Sequence, residues 1–298
     1  MDFAYSFCIS VFHSYRVAGM SDKKDKKKKR KQDRTLAQKA DPHHCYELSV
    51  QHAPSEIDFV DATFKSLRGR RAALLREDFC GTANVCCEWV RRRKDNRAIG
   101  VDIDAEVLAW GTEHNLSKLT RNQRERVKLL QADVMTAETD PPEMILAMNF
   151  SYWMFKERAA LKRYFSRVHS ALAKDGVLFM DAYGGYDSFR ALREKRKVKE
   201  GGFTYIWEHD HFDPVNNGLL CHIHFKFRDG SHLKRAFSYD WRFWTLPELR
   251  DVLLETGFSN VTIYWQGWDK DGEPDGEFKP VKKAEGDAGW VCYLSAEK

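Results

Sequence analysis

The sequence has no C-x-x-C pair and no long hydrophobic run. Its seven cysteines are scattered, which excludes both a disulfide framework and the ligand spacing of a zinc site. We therefore expect a reduced, cytoplasmic protein. Residues 1–19 are mildly apolar, but they lack the basic start of a signal peptide and the ~20 apolar residues that cross a bilayer. The sequence thus indicates no membrane partner, and it leaves open whether residues 1–19 precede a native start at Met20.

Positive charge is scarce outside one segment, although the whole chain carries +5. Residues 21–40 contain ten Lys/Arg and three Asp, a local charge of +7, which leaves −2 for the remainder. A folded part near neutrality lacks the field that drives non-specific phosphate binding. Because like charges in a block repel one another, we expect residues 1–40 to form a disordered basic tail. A nucleic-acid-binding tail or a localisation signal is the less favoured alternative.

From residue 42 the sequence alternates short apolar runs with helical patterns. Apolar residues three and four positions apart predict a helix over 55–68, with Ser55 as its N-cap. Strand–helix alternation over the next hundred residues predicts a parallel sheet covered by helices on both faces. The predicted strands are 72–75, 97–101, 127–131, 143–149 and 176–181, and the helices between them are 83–93, 105–116 and 157–173.

This alternation stops after residue 184 and resumes at residue 246. Three segments rich in aromatic residues and histidine, separated by turn sequences, predict an antiparallel insertion of about three strands. A helix at 246–256 and strands at 259–266 and 289–295 then complete the sheet, and loop 269–277 is expected to be a polar connection. The insertion strands are 203–212, 219–228 and 231–244.

Ligands of doubly wound sheets bind at the carboxyl ends of the strands, where neighbouring crossovers diverge. The first strand is followed there by the segment EDFCGTA (77–83), in which Gly81 and Ala83 are small enough for close backbone approach. A dinucleotide-binding loop has three glycines beside the pyrophosphate. Here one is present and two acids precede it, which disfavours a pyrophosphate such as that of NAD and favours a ligand with an amino group.

Further carboxylates follow the next two predicted strands. Asp102 lies 21 residues after Gly81, where a carboxylate can accept hydrogen bonds from both hydroxyls of a ribose. The alternative role for Asp102 is that of a helix N-cap, for which Asp104 is better placed. Asp133 ends the third strand, where it can accept from the exocyclic amine of adenine. Acids at three successive strand ends predict a site for an aminated adenine nucleoside.

With these features the sequence resembles the class I S-adenosylmethionine-dependent methyltransferases, over residues 45–183 and 246–296. The acid-x-Gly-x-Gly-x-Gly motif of that family aligns with residues 77–83, where Phe79 and Ala83 replace glycines and the side chain of Phe79 disfavours a positive φ. The resemblance implies S-adenosyl-L-methionine as cofactor, bound through its amino group by Glu77, through its ribose by Asp102 and through its adenine by Asp133. The implied cofactor-binding residues are Tyr46, Glu77, Phe79, Cys80, Gly81, Thr82, Asp102, Ile103, Ala132, Asp133, Val134 and Asn149.

The fold that follows is α/β: a Rossmann-like, seven-stranded, mostly parallel sheet between helices, with an antiparallel insertion between the fifth and sixth core strands. Methyl transfer needs alignment more than covalent help, so positioning groups are expected at the ends of the fourth and fifth strands. In relatives that methylate planar amines a polar–Pro–Pro–aromatic motif follows the fourth strand; Asn149 and Tyr152 match its ends, whereas Phe150 and Ser151 do not match its middle. The expected domains are the tail 1–40, a cofactor-binding core 41–185, the insertion 186–245 as substrate platform, and residues 246–298 completing the core.

Catalytic candidates come from these strand ends and from the insertion. A histidine there could accept the proton of a substrate. Two histidines on one strand face, His222 and His224, could also ligate a metal, but a third ligand is missing and no metal is expected. The catalytic candidates are Tyr152, Tyr183, His209 and His222.

The favoured function is methylation of an amine or hydroxyl of a small molecule. An RNA or protein methyltransferase guided by the basic tail, and a non-catalytic module that binds S-adenosylmethionine, are the alternatives. The sequence does not indicate an oligomeric state.

Overall fold

The computed structural model describes residues 34–268, 270 and 274–298. Within these residues the chain forms eight α-helices, and short 3₁₀ turns occur at 116–118, 151–154 and 186–189. The helices are α1 (Leu36–Lys39), α2 (Pro42–Ser49), α3 (Ala53–Arg68), α4 (Asn84–Arg92), α5 (Ala105–His114), α6 (Arg121–Arg124), α7 (Arg158–Ala171) and α8 (Leu246–Glu255).

The described strands belong to two sheets, an eight-stranded one in the order β11-β10-β12-β5-β4-β1-β2-β3 and a four-stranded one in the order β6-β7-β8-β9. The strands β1 to β5 pair in parallel, and β12, β10 and β11 extend that sheet in antiparallel fashion. The strands are β1 (Leu74–Asp78), β2 (Arg97–Asp102), β3 (Val127–Gln131), β4 (Met144–Ala147), β5 (Val177–Gly184), β6 (Leu192–Val198), β7 (Phe203–Asp213), β8 (Gly218–Phe227), β9 (His232–Arg242), β10 (Asn260–Trp268), β11 (Pro274–Val281) and β12 (Trp290–Glu297).

Both faces of the parallel sheet are covered, as the continuous apolar strands predict. Along β4, Ile145 and Ala147 belong to one buried cluster and Met144 and Leu146 to another, because successive side chains of a strand point to opposite faces. Helix α7 contributes to the first cluster, and α3 and α4 contribute to the second. The Rossmann-like α/β fold expected from the sequence is thereby confirmed.

The main sheet contains one strand more than the seven expected. Residues Pro274–Val281 form β11, which pairs antiparallel with β10 at the sheet edge, where a polar loop was expected over 269–277. Five of the seven β11 residues whose exposure is described are exposed, and the segment lacks the alternation that marks a half-buried strand.

The insertion also contains one strand more than the three expected. The additional strand, β6, has the sequence LREKRKV and pairs with β7 at the edge of the second sheet. Strand β6 was not predicted because most of its residues are charged and exposed, so its sequence shows no apolar alternation. The other three strands lie close to their predicted positions.

One face of the insertion sheet packs on the main core. Trp207 of β7 and Trp241 of β9 belong to the same buried cluster as Phe150 and Tyr183, which follow or end strands of the main sheet. Trp153 links the two, with its ring stacked on Tyr183 at 4.8 Å and in edge contact with Trp241 at 6.0 Å. This aromatic packing fixes the insertion sheet above the carboxyl ends of β4 and β5.

Several local boundaries differ from those expected. Helix α3 begins at Ala53, because the ring of His52, and not Ser55, caps it by accepting the backbone N–H of Ser55. Strand β1 continues through Glu77 and Asp78. Residues 34–40, assigned to the tail, include the capped helix α1; the rest of that predicted tail, residues 1–33, lies outside the described residues.

Two negative findings apply to the described residues. None of their helices is long and apolar enough to cross a membrane. Their six cysteines are all buried free thiols.

Candidate active site

The centre of the site is a hydrogen bond between the first two strands of the sheet. The backbone N–H of Gly81, after β1, donates to Asp102 Oδ2 at the end of β2 over 2.8 Å, and the N–H of Asp104 donates to Asp102 Oδ1 over 3.0 Å. Burial raises the pKa of the Asp102 carboxyl, and these two hydrogen bonds oppose the shift. The carboxylate is therefore fixed in place where the crossovers to β2 and β4 diverge. Asp104, with its side chain on the N–H groups of Glu106 and Val107, is the cap of α5.

The loop after β1 keeps the backbone of a glycine-rich turn with one glycine. Phe79, Gly81 and Ala83 have φ values of 57°, 51° and 57°, all in the left-handed region. The expectation that Phe79 would avoid a positive φ is therefore wrong. Its ring lies 5.7 Å from that of Tyr164, and this packing holds a conformation that a non-glycine residue adopts only under strain.

Close packing behind the loop requires a second glycine. A Cβ at Gly111 of α5 would lie only 2.4 Å from the carbonyl oxygen of Thr82. Within the loop, Cys80 is buried and donates its N–H to the carbonyl of Val101 on β2. These contacts press the loop against β2 and α5, with the N–H of Gly81 turned toward Asp102.

The two acids before the loop have different environments. Asp78 lies beneath the loop, where it pairs with Arg76 at 2.6 Å and accepts from the Tyr164 hydroxyl at 2.9 Å. Glu77 accepts the N–H of Cys86 through Oε2, and burial raises the pKa of its carboxyl to about 8. Asp78 is thus paired within the fold, whereas Glu77 has no ion pair among the described residues.

Three buried carboxylates lie near one another behind the site. Glu56 of α3 has a pKa raised by burial to about 7, and its charge further raises the pKa values of Glu77 and Asp181. Burial is the main cause for Asp181 too, whose pKa rises to about 8. Such a group of acids gives the interior a negative potential when ionised, which favours a cationic ligand nearby.

The loop after β4 is held by the neighbouring strand. Asp181 of β5 accepts the N–H groups of Asn149 (2.7 Å) and Phe150 (2.8 Å), which have φ values of 57° and 59°. Asn149 and Ser151 line the same cavity as Glu77 and Gly81. The strained pair therefore brings this loop to the cavity, and Asp181 keeps it there.

Helix α2 covers this cavity. Tyr46 and His43 line it from the helix and Phe237 lines it from the insertion, with the rings of Tyr46 and Phe237 5.1 Å apart. Glu47 Oε1 accepts from the Thr82 hydroxyl and from Asn115 Nδ2, each over 2.6 Å. The enclosed space measures about 20 Å³, enough for about one water molecule. Larger ligands enter only when α2 moves.

A second, larger cavity of about 370 Å³ lies between β5 and the insertion sheet. Its walls include the aromatic rings of Tyr183, Tyr205, Trp207 and Trp290. Its polar residues include Asp187, Glu194, Arg196 and His209. Phe150, next to Asn149 of the first cavity, packs edge-on against Tyr183 at 4.8 Å. The two cavities are therefore separated by one layer of aromatic rings.

His209 and Glu194 of this second cavity have shifted pKa values. Burial lowers the pKa of His209, opposed by the backbone of Asp187, so the imidazole is neutral at pH 7. Its ring lies parallel to that of Tyr183, with 6.0 Å between centroids. Burial, and then the charge of Asp187, raise the pKa of Glu194.

Two of the four catalytic candidates lie elsewhere. Tyr152 is fully buried, with its hydroxyl on the carbonyl oxygen of Asp181 at 2.7 Å, because the 3₁₀ turn points its ring into the core. His222 lies on the opposite face of the insertion sheet, bonded to Ser238 at 2.8 Å and Asp210 at 3.2 Å. Strand alternation separates it from His209, and neither Tyr152 nor His222 lines a cavity described above. Among the described residues no group of three potential ligands could hold a metal.

The residues after β2 and β3 that were predicted to bind the cofactor differ in exposure. Ile103, next to Asp102, is 69% exposed, unusual for an isoleucine, and offers an apolar surface beside the carboxylate. Asp133 is exposed outside the enclosed cavity, and its Oδ1 accepts the N–H of Met135 at 2.8 Å. Val134 packs in the core, and Ala132 donates its N–H to the Asp102 carbonyl; their roles in binding stay predictions.

Sequence reasoning missed some residues that line or support the two cavities. Phe237 and Trp290 come from distant segments that only the folded chain brings to the site. Glu194 and Arg196 lie on the unpredicted strand β6. Asp181 had a detectable signal, because an acid at the end of an otherwise apolar strand is rarely buried without a partner.

Solved structures of similar shape exist. One is an S-adenosylmethionine-dependent methyltransferase from Clostridium acetobutylicum ATCC 824 (TM-score 0.60, 16% identity, covering 85% of this chain and 96% of that one). Another is CalS10, an amino pentose methyltransferase from Micromonospora echinaspora (TM-score 0.61, 14% identity, covering 86% of this chain and 96% of that one). A third is the sugar N-methyltransferase KedS8 from Streptoalloteichus sp ATCC 53650 (TM-score 0.55, 15% identity, covering 92% of this chain and 98% of that one).

At these identities the likeness is one of fold, and this chain has the fold of the class I S-adenosylmethionine-dependent methyltransferases. It extends over most of the chain. No protein-family model matches the sequence, and no curated protein has significant sequence similarity to it.

Proposed function

We propose that this protein is an S-adenosylmethionine-dependent methyltransferase that acts on an amine or hydroxyl group of a small, polar molecule. The observation that carries the proposal is the fixed Asp102 carboxylate, bound to the N–H of Gly81 at the switch point of the sheet. A carboxylate in this position can accept from two adjacent ribose hydroxyls, since each oxygen has a further lone pair.

The residues around Asp102 fit the rest of this cofactor. Exposed Ile103 offers an apolar surface for adenine, with Asp133 at the same sheet edge as an acceptor for its amine. Glu77 lines the covered cavity beside Gly81, where its ionised form would bind an ammonium group. The acids disfavour a dinucleotide, because a pyrophosphate would be repelled by the same charges.

S-Adenosylmethionine supplies a methyl group on a positively charged sulfur, which departs readily when a nucleophile attacks in line. The protein's part is alignment and exclusion of water. The rings of Phe150 and Tyr183 pack on each other between the two cavities and would border the opening through which the acceptor must reach the methyl group. Asp181 fixes the Phe150 side of this layer through two backbone hydrogen bonds.

The second cavity has the chemistry of a site for a polar ring. Its aromatic walls favour the C–H faces of a sugar-like ring, and its carboxylates, Asp187 and Glu194, favour hydroxyl or amine donors. The neutral imidazole of His209 can accept the proton that a hydroxyl or ammonium acceptor must lose. The neighbours that act on an amino pentose and on a sugar nitrogen support an acceptor of this class.

The alternative of a planar-amine methyltransferase receives less support. That chemistry needs an aromatic face beside the substrate at the position of Tyr152. The Tyr152 ring is instead buried and packs near Phe165, with 6.0 Å between ring centroids. A module that only binds the cofactor would have no need of the second cavity beside it.

The test has two stages with the full-length protein. Calorimetry with S-adenosylmethionine should show saturable one-site binding, and with NAD no binding. The loaded protein should then add 14 Da to one member of a panel of amino sugars and their hydroxyl analogues, with S-adenosylhomocysteine formed in equal amount. Absence of S-adenosylmethionine binding would overturn the proposal. Binding without transfer across the panel, including RNA and peptide acceptors, would favour the non-catalytic alternative.

A further inference from the structure

The outer face of the insertion sheet is strongly basic. It borders an open concavity with a volume of about 1390 Å³. The residues that line this concavity include eight lysines and arginines and one acid, Glu208. We call this surface the basic face. It lies on the opposite side of the sheet from the aromatic residues that pack on the core.

The charges follow the geometry of the strands. On the edge strand β6, Arg193, Lys195 and Lys197 alternate toward the basic face, with about 6.6 Å between successive side chains. Across the sheet Lys197 lies opposite Thr204, and Thr204 opposite Lys226. Two strand spacings separate the two lysines, about 9.6 Å. The result is a grid of cations on a rigid support.

Two of these cations pair with acids of the described residues, Arg193 with Glu208 and Arg235 with Asp210 at 3.4 Å. Glu208 pairs with Arg193 at 2.5 Å and with His224 at 2.6 Å, so its charge is already used. Lys197 and Lys226 are exposed and have no ion pair within the described part of the chain. Cations gathered on one face repel one another, which disfavours the folded state. A bound polyanion would offset that destabilisation.

A strained bulge adds a further pair of charges. Lys234 and Arg235 are consecutive, yet both line the basic face, because β9 is irregular there and Arg235 has a φ of 48°. The conformation is held by the N–H of Arg235, which donates to His224 Nδ1 over 3.0 Å. Bulges of this kind re-aim side chains, and backbone strain is concentrated at functional sites.

The first described helix lies at the rim of the same face. Helix α1, which begins two residues after Arg34, is anchored to the β8–β9 turn: Leu36 N–H donates to Asp229 Oδ2 (2.8 Å) and Ala37 N–H to Ser231 Oγ (3.0 Å). Residues 228, 230 and 232 of that turn region line the basic face. Residues 21–40 contain ten Lys/Arg, of which Arg34 and Lys39 belong to the described residues.

The face has no apolar group for a lipid bilayer or a nucleobase. Its apolar members, such as Phe203 and Phe227, are 6% and 7% exposed, and none of the exposed large apolar side chains of the described residues lies there. Peripheral membrane binding and single-strand recognition both use exposed apolar or aromatic residues. The basic face offers cations alone, which bind phosphates irrespective of sequence.

We propose that the basic face binds the phosphate backbone of double-stranded nucleic acid. The net charge gave no sign of this site. The chain outside residues 21–40 has a net charge of −2, although eight of its lysines and arginines are gathered on one face. The face is turned away from the second cavity, so a bound duplex is an anchor and not a methyl acceptor. The inference does not depend on the proposed function.

The test measures binding of fluorescent 20-base-pair RNA and DNA duplexes to the full-length protein by anisotropy, from 50 to 300 mM NaCl. The variant Lys197→Glu/Lys226→Glu should bind at least tenfold more weakly, and its salt slope should fall by about 2 for DNA. The matched control, Lys94→Glu/Lys174→Glu, makes the same charge change at exposed lysines elsewhere and should bind like wild type. Thermal melting of both variants verifies that they are folded.

Two further arms separate the possible sources of binding. Replacement of the Lys and Arg residues of 23–31 by glutamine in the full-length chain should weaken binding without abolishing it. If that change abolishes binding while Lys197→Glu/Lys226→Glu leaves it intact, the basic face is not the site. Vesicles containing phosphatidylserine should bind more weakly than either duplex. Tighter binding to these vesicles, lost in the same double variant, would assign the face to membranes and overturn the proposal.

Discussion

The carboxylate of Asp181, on β5, accepts the backbone N–H of Asn149, at the end of the neighbouring strand β4, over 2.7 Å. Its other oxygen accepts the next N–H along the chain, that of Phe150. One side chain thus satisfies two buried donors of a loop whose φ values are both positive. The loop lines the first cavity and its aromatic ring borders the second, so Asp181 couples the geometry of the two.

Replacement of Asp181 by alanine should therefore weaken both stability and cofactor binding. Two buried N–H groups would lose their acceptor, at about 1–3 kcal/mol each, and we expect a loss of unfolding free energy of about 2–4 kcal/mol together with roughly tenfold weaker binding of S-adenosylmethionine. Asp181→Asn retains one acceptor oxygen and should fall between the two proteins. Urea unfolding and calorimetry measure these quantities. An alanine variant with wild-type affinity would contradict the positioning role.

Asp102 and Asp104 form a matched pair two residues apart. Asp102→Ala should weaken S-adenosylmethionine binding about 30-fold or more, because charge-assisted hydrogen bonds to the ribose would be lost. Asp104→Ala removes the side-chain cap of α5 and should lower stability by about 1 kcal/mol while affinity stays unchanged. Calorimetry of both variants decides. Equal affinity losses would show that Asp102 acts only through helix placement.

Much of the fold could be predicted because the parallel strands are buried on both faces. Strands such as β4 are continuously apolar, and the helices between them carry regular apolar stripes. The two missed strands are edge strands with mostly polar sequences, β6 and β11. When most side chains on both faces of a strand are exposed, the apolar alternation on which recognition depends is lost.

The site could be predicted only where a residue's role follows from its place at a strand end. Asp102 met that condition, and Gly81 binds it. The positive φ of Phe79 could not be predicted, because it depends on packing against Tyr164. His209 and His222 could not be distinguished in the sequence, since which face of a strand is buried is decided by the sheet that packs on it.

Stability should fall as pH rises, because Glu77 has a raised pKa. The folded state favours the protonated carboxyl, so the contribution of Glu77 is complete below its unfolded pKa near 4.5 and is lost as pH approaches the folded value of about 8. Over that interval each such group lowers the unfolding free energy by up to about 1.4 kcal/mol per pH unit. Glu77→Gln should flatten the dependence between pH 5 and 8, as measured by urea unfolding of the cofactor-free protein.

The control for this dependence is Glu106→Gln, a change at an exposed carboxylate of α5. It should keep the wild-type slope. If stability depends on pH with the same slope in Glu77→Gln as in wild type, the pKa of Glu77 is not raised and the prediction is wrong. The remaining slope of the Gln variant is expected from Glu56 and Asp181, whose pKa values are also raised by burial.

His209 and His222 offer a direct comparison of the two faces of the insertion sheet. If His209 accepts a substrate proton, His209→Ala should lower kcat about 10²-fold with a hydroxyl acceptor and remove the acid limb of the pH–rate profile. His222→Ala alters the outer face, where its ring bonds to Ser238 and Asp210, and should leave kcat unchanged. The comparison depends on an acceptor having been found. Loss of rate without any change in the pH profile would assign His209 a packing role.

Glu47 holds helix α2 over the first cavity. Its carboxylate binds Thr82 and Asn115, which belong to the cofactor loop and the end of α5, and the enclosed space of about 20 Å³ requires the cover to move. Glu47→Ala should therefore raise the dissociation rate of S-adenosylmethionine about tenfold, as expected from the loss of hydrogen bonds to a charged group. The association rate should rise too, because opening of the cover precedes entry.

Trp110 provides the signal for this measurement. Its indole N–H donates to Asp41, the N-cap of α2, over 2.7 Å, so its fluorescence reports movement of the helix in stopped-flow mixing. His44→Ala, on the exposed side of α2, is the matched control and should leave both rates unchanged. Association and dissociation rates that are the same in Glu47→Ala and wild type would mean that the cofactor enters without opening α2. A rise in both rates for Glu47→Ala alone, with little change in Kd, is the outcome that a latched cover requires.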